Sequence, residues 1–84
     1  MYFFATGHLT HPDQIGPYLE DEKRVLATLR QEGVVREAFT PVGGHGVISI
    51  LEGPSLEHIE VQMNRLPFVA QGLLSFEYTE VMEL

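Results

Sequence analysis

The chain contains no cysteine. That excludes disulfides, iron–sulfur clusters and thiolate metal sites, removes the thiol as a nucleophile, and fits a reducing compartment. Basic residues are scarce: five Lys and Arg stand against twelve Asp and Glu, a formal charge of −7. The electrostatic footprint needed for nucleic acid or an anionic membrane is therefore missing. Long hydrophobic runs are also lacking. No stretch approaches the roughly 18 apolar residues of a transmembrane helix, and the apolar start Met1-Tyr2-Phe3-Phe4 has no basic segment before it, unlike a secretory signal. No serine sits in a nucleophile-elbow motif. The expectation is a cytoplasmic protein with neither a nucleic-acid nor a membrane partner.

What is present is a globular balance, with 44% hydrophobic and 20% charged residues over 84 positions. One domain spanning 1–84 is all this length allows. A domain so small hides only roughly 60–65% of the surface its unfolded chain exposes. Without cross-links, self-association is the available reinforcement.

Aromatic, small and β-branched residues from Tyr2 to His8 read as strand one. After the polar His11-Pro12-Asp13 loop, Pro17 can open helix one, which runs to about Glu32, where Gly33 stands as a left-handed C′ stop. Val34–Thr40 and His45–Glu52 form a hairpin of strands two and three about Gly43-Gly44. Ser55 caps helix two, whose apolar stripe is Leu56, Ile59, Met63 and Leu66 before Pro67 ends or kinks it. Leu73–Val81 form strand four. The order β-α-β-β-α-β is the split βαβ of an α+β, ferredoxin-like fold, with an antiparallel sheet in strand order 4-1-3-2. Its helices cover only one face. The other is not polar enough for solvent, because strand one offers Tyr2, Phe4 and Thr6 on one side and Phe3 and Ala5 on the other, and strand three Val47 and Leu51 against Ile48 and Ile50. This predicts a homodimer closed face to face as a dimeric α+β barrel.

One residue breaks the core pattern. Stepping by three and four along helix one gives Ile15, Leu19, Glu22, Leu26 and Leu29. A carboxylate in a buried stripe is costly unless paired or protonated, and desolvation raises its pKa toward values useful for proton transfer. The competing reading rolls the helix slightly, leaving Glu22 in a solvated run with Asp21 and Lys23. The topology brings His8, His45, the His11 loop and the Leu66-Pro67-Phe68 corner to the same end of the molecule as the start of helix one. A small pocket is expected there, walled by His11, Tyr18, Val47 and Phe68, with Glu22, His45 and His8 as its chemical groups. His8, His11, His45 and Glu22 could also suggest a metal, but the His8–His11 spacing across a strand end and a loop matches no zinc motif, so no metal is expected.

The segments Asp21-Glu22-Lys23, Leu29-Arg30-Gln31-Glu32-Gly33, Arg36, Gly43, Pro54-Ser55 and Leu66-Pro67 fall in the order, without gaps, of the muconolactone isomerase family, which the chain resembles from position 21 to 67. The resemblance implies a dimeric α+β barrel, sometimes assembled further, and cofactor-independent proton transfer on a small lactone, with loss of halide in dehalogenating members. It implies that Glu22 is the base. Two positions depart from the family, which has a tyrosine where this chain has His45 and an asparagine at Val47. His45 can still donate a hydrogen bond to a lactone oxygen, whereas Val47 cannot replace an amide. With the family's C-terminal tail also missing, the resemblance implies a more hydrophobic substrate and a simpler oligomer. Two other functions suit the same fold: a cofactor-free oxygenase or cyclase of aromatic polyketides, and a binding or assembly module without chemistry. The last requires Glu22 to titrate like a surface carboxylate with no pocket behind it.

Overall fold

The computed structural model describes residues 1–84. Four strands, β1 (Tyr2–Leu9), β2 (Val35–Phe39), β3 (Val47–Glu52) and β4 (Leu74–Val81), form one antiparallel sheet in the order β2-β3-β1-β4. Three helices lie between them: α1 (Leu19–Gln31), α2 (Leu56–Met63) and the single turn α3 (Pro67–Ala70). This is the expected ferredoxin-like arrangement with the expected strand order. No helix is long and apolar enough to cross a membrane.

Local chemistry sets the ends of these elements. Two 3-10 turns, Pro12–Gln14 and Gly16–Tyr18, precede α1, so Pro17 introduces the helix without belonging to its α-helical part. Acidic Glu20, Asp21 and Glu22 occupy the first turn of α1 and Arg30 the last, in accord with the helix dipole. At the other end Gly33 is left-handed at φ 81. Its N–H donates to Arg30 C=O and that of Val34 to Leu29 C=O, the paired bonds of a Schellman stop. Arg65 then ties the loop after α2 to this end of α1, donating to both carboxylate oxygens of Glu32 at 2.7 and 3.1 Å. Ser55 caps α2 by accepting from His58 N–H at 3.1 Å.

Helix two differs from its expected form. It ends at Met63, and Pro67 opens α3 where it was expected to close a longer helix. Leu66, held extended by the following proline, separates the two. Along the expected stripe Ile59, Met63 and Leu66 are buried, whereas Leu56, one residue after the cap, is exposed. Leu19 of the α1 stripe is exposed as well.

The core beneath the helices has two parts. One gathers Phe3, Leu29, Leu51, Ile59 and Met63; the other is Phe68, Leu73 and Leu74. Small side chains mark the sheet near their seam. Ala38, Ser49 and Ala5 lie side by side across β2, β3 and β1. Ala38 reaches this row through a β-bulge between Val35 and Glu37, which sets both Arg36 and Glu37 on the solvent side. On the outer face Phe4 is 38% and Phe39 58% exposed, with Ile48 and Ile50 half-buried beside them.

Candidate active site

Glu22 sits in the first turn of α1 and points inward, toward the start of α3. The first N–H groups of any helix lack partners within it, and here the Phe68 N–H donates to Glu22 Oε1 at 2.8 Å. That bond fixes the carboxylate while leaving Oε2 without a protein partner. Burial raises the Glu22 pKa above its ordinary value of 4.5, and the Phe68 N–H opposes the rise without cancelling it. Glu22 is thus half-buried and tied to α3, unlike its exposed neighbours Asp21 and Lys23.

Two hollows meet at this carboxylate. The inner one, about 40 Å³, is floored by Ser49 and Ala38 and walled by Leu26, Val47, Met63 and Phe76. The outer one, about 260 Å³, forms a mouth between Phe68 and Leu9 on one side and Thr40, His45 and Gly46 on the other. Side chains from both parts of the core line the inner hollow, Met63 and Leu66 from one and Leu74 from the other. The space is the seam left open by the small residues of the sheet. A larger groove of about 430 Å³ runs between Glu60 and Asn64 on one side and Phe76 and Tyr78 of β4 on the other, but it does not contain Glu22. There burial and the nearby Glu60 push the Tyr78 hydroxyl up to about 12.

The hairpin before β3 is pinned tightly. Gly46 has φ 124, and a Cβ on it would collide with the carbonyl oxygen of Gly7. The Gly46 C=O accepts from Thr40 Oγ1 at 2.9 Å. These contacts hold His45 and Val47 at the mouth.

The expected site residues divide accordingly. Glu22, His45, Val47 and Phe68 come together. His8 does not: side chains alternate along β1, and with Gly7 facing inward His8 is exposed on the opposite face of the sheet. His11 also stands apart, exposed and in contact with Thr10 Oγ1 through Nδ1 at 2.9 Å. Because the Thr10 hydroxyl donates its proton to Gly72 C=O, the His11 nitrogen is the donor in that contact. Tyr18 packs against Phe68, Leu73 and Leu74 from outside and does not line the hollow. The residue that sequence reasoning overlooked is Ser49, 2% exposed, whose hydroxyl has no hydrogen-bond partner. A polar residue at an inward position of an otherwise apolar strand was a signal of the same kind that singled out Glu22.

Neither a scan against protein-family models nor a search of the curated proteins finds a match. Comparison of folds does. The chain is similar to muconolactone isomerase with a TM-score of 0.82 and 20% identity, covering 100% of this chain and 91% of that one. It is also similar to 5-chloro-2-hydroxyhydroquinone dehydrochlorinase from Burkholderia phenoliruptrix, in complex with 2,5-dihydroxybenzoquinone. In that case the TM-score is 0.73 with 16% identity, over 98% of this chain and 94% of the other. Both neighbours are named for enzymes that act on small molecules, and the fold is shared along nearly the whole of each chain.

Proposed function

We propose that this chain is a cofactor-independent enzyme that moves a proton on a small cyclic carbonyl compound, with Glu22 as the base. The observation carrying the proposal is a half-buried carboxylate at the junction of an apolar hollow and its mouth, held by one oxygen and with its pKa raised. A base of raised pKa suits a reversible transfer, since the proton must be returned as readily as it is taken. Glu22 removes a proton from the carbon next to the carbonyl, and the C–H electrons form a C=C bond as the carbonyl oxygen becomes an enolate. Where the substrate already carries a C=C beside that carbon, the charge spreads over it as a dienolate, and return of the proton at its far carbon gives a shifted double bond. Departure of a halide from a neighbouring carbon gives the dehalogenating variant. His45, on the lip opposite Phe68, supplies a hydrogen bond to a substituent of the ring.

Muconolactone and 5-chloro-2-hydroxyhydroquinone, the compounds for which the two fold neighbours are named, are the first substrates to test. Proton exchange in deuterated water, followed by NMR, reports the first reaction, and chloride release reports the second. Glu22→Gln should lower the rate of whichever reaction occurs by roughly 100-fold or more. Full turnover by a folded Glu22→Gln protein would sink the proposal.

The proposed working form is a homodimer joined through the outer sheet face. The exposed Phe4 and Phe39 and the adjoining Ile48 and Ile50 support it, since an apolar surface of this kind is costly in water.

A further inference from the structure

Beneath Glu22 the apolar hollow contains one polar side chain. Ser49 is buried, its hydroxyl meets no donor or acceptor of the protein, and it faces the same space as the carboxylate. An unpartnered buried hydroxyl is destabilising, so its position calls for a partner from outside the chain. The neighbours across the strands, Ala5 and Ala38, are too small to fill the space above it. What remains is about 40 Å³, a few times the roughly 10–15 Å³ that admits one water. The inner hollow therefore has room for a small oxygen-bearing group but is far smaller than the mouth of about 260 Å³, which is left to the ring. Glu22 borders both spaces.

We propose that Ser49 is a catalytic residue that donates a hydrogen bond to the substrate's carbonyl oxygen, which occupies the inner hollow while the ring of a small cyclic carbonyl compound fills the mouth. The inference rests on the proton-transfer reading of the site and specifies how substrate sits in it. With the oxygen on Ser49, the adjacent carbon lies at the neck beside Glu22. As the C–H bond breaks, its proton passes to the carboxylate and the negative charge moves to the oxygen in the inner hollow. The Ser49 O–H bond is not broken; its dipole stabilises that charge in a water-poor site, where such a donor is most effective. Ionised Glu22 can only accept hydrogen bonds, so Ser49 is the side chain available to satisfy an acceptor there. Compounds carrying a methyl group in place of the carbonyl oxygen are rejected, because the hydroxyl would remain unpaired.

Tetronic acid tests the inference without turnover, as a five-membered lactone whose ionised enol mimics the enolate. Its binding is measured by calorimetry to Glu22→Gln protein, which lacks the competing negative charge, and to the same protein also carrying Ser49→Ala or Ser49→Cys. Loss of a hydrogen bond to a charged oxygen should weaken binding roughly tenfold or more for Ser49→Ala. Ser49→Cys, of similar shape but a poor donor, should fall between the two. The melting temperature of the alanine variant should hold or rise, since the substitution removes an unpartnered hydroxyl. Equal affinity with and without Ser49→Ala overturns the assignment and leaves Ser49 as a partner for buried water. Failure of tetronate to bind even the Glu22→Gln protein overturns the reading of the site itself.

Discussion

At Glu22 two effects compete, and their balance sets the pH behaviour. Burial disfavours the charged form while the Phe68 N–H favours it, and burial prevails. In the folded protein the carboxyl thus holds its proton more tightly than in the unfolded chain. The stability this contributes is present below the ordinary value of 4.5 and lost as pH rises through the higher folded value. Glu22→Gln keeps an oxygen for Phe68 but never ionises. In chemical denaturation it should therefore gain on the wild type as pH rises above about 4.5 and remain more stable at neutral pH. Catalysis should move the opposite way. For the wild type kcat/KM should climb with pH through the same raised pKa and then level off, while the glutamine variant shows no such limb. Stability and activity moving in opposite directions is what a group strained for chemistry predicts, and a merely structural cap would not show it. Glu22 was legible in the sequence because a carboxylate interrupting an apolar stripe needs only helical periodicity to be noticed. Its fixing by Phe68 was not, since the donor lies 46 positions away on another helix.

At the scale of elements, the β2–β3 hairpin and the Leu66-Pro67-Phe68 corner build the site. Gly46→Ala would force a side chain into an unfavourable backbone conformation, at about 1–3 kcal/mol, and add the collision with the Gly7 carbonyl. Thermal unfolding should show the loss, with the mouth around His45 perturbed first. Ser55→Ala is the matching control. It should cost about 1 kcal/mol through lost capping of α2 and leave substrate turnover unchanged, because Ser55 borders neither hollow. The strands and their order were readable from alternation and turn residues. The β2 bulge was not, because Val35-Arg36-Glu37-Ala38 fits either register of alternation. Only pairing with Leu51 and Ile50 shows that Glu37 is excluded from the core and Ala38 admitted to it. His8 and His11 were misplaced for a related reason. Topology brings chain segments to one end of a molecule, but the face on which a side chain emerges depends on strand parity and local bonding.

For the molecule as a whole, a single helical layer on one sheet face leaves little margin. Leu29, fully buried in the larger part of the core, should cost about 2–5 kcal/mol when cut to alanine, measured by urea denaturation. The outer face tests the proposed homodimer. Phe4→Glu should reduce the mass found by light scattering to that of one chain, and the wild-type melting temperature should rise with protein concentration. Wild-type protein that is monomeric at high concentration would remove the dimer from the account. The β-α-β-β-α-β order, the antiparallel sheet, the left-handed stop at Gly33 and the anomaly at Glu22 were all readable from the residues, though the separate α3 was not. Each follows from local periodicity or backbone preference, which act over a few residues. That Ser49 and Glu22 face one hollow, that Phe68 holds the carboxylate, and that two of the expected histidines lie elsewhere emerges from the packed fold alone. Those outcomes depend on register, bulge and packing between distant segments, where a shift of one residue turns a side chain from the core to the solvent.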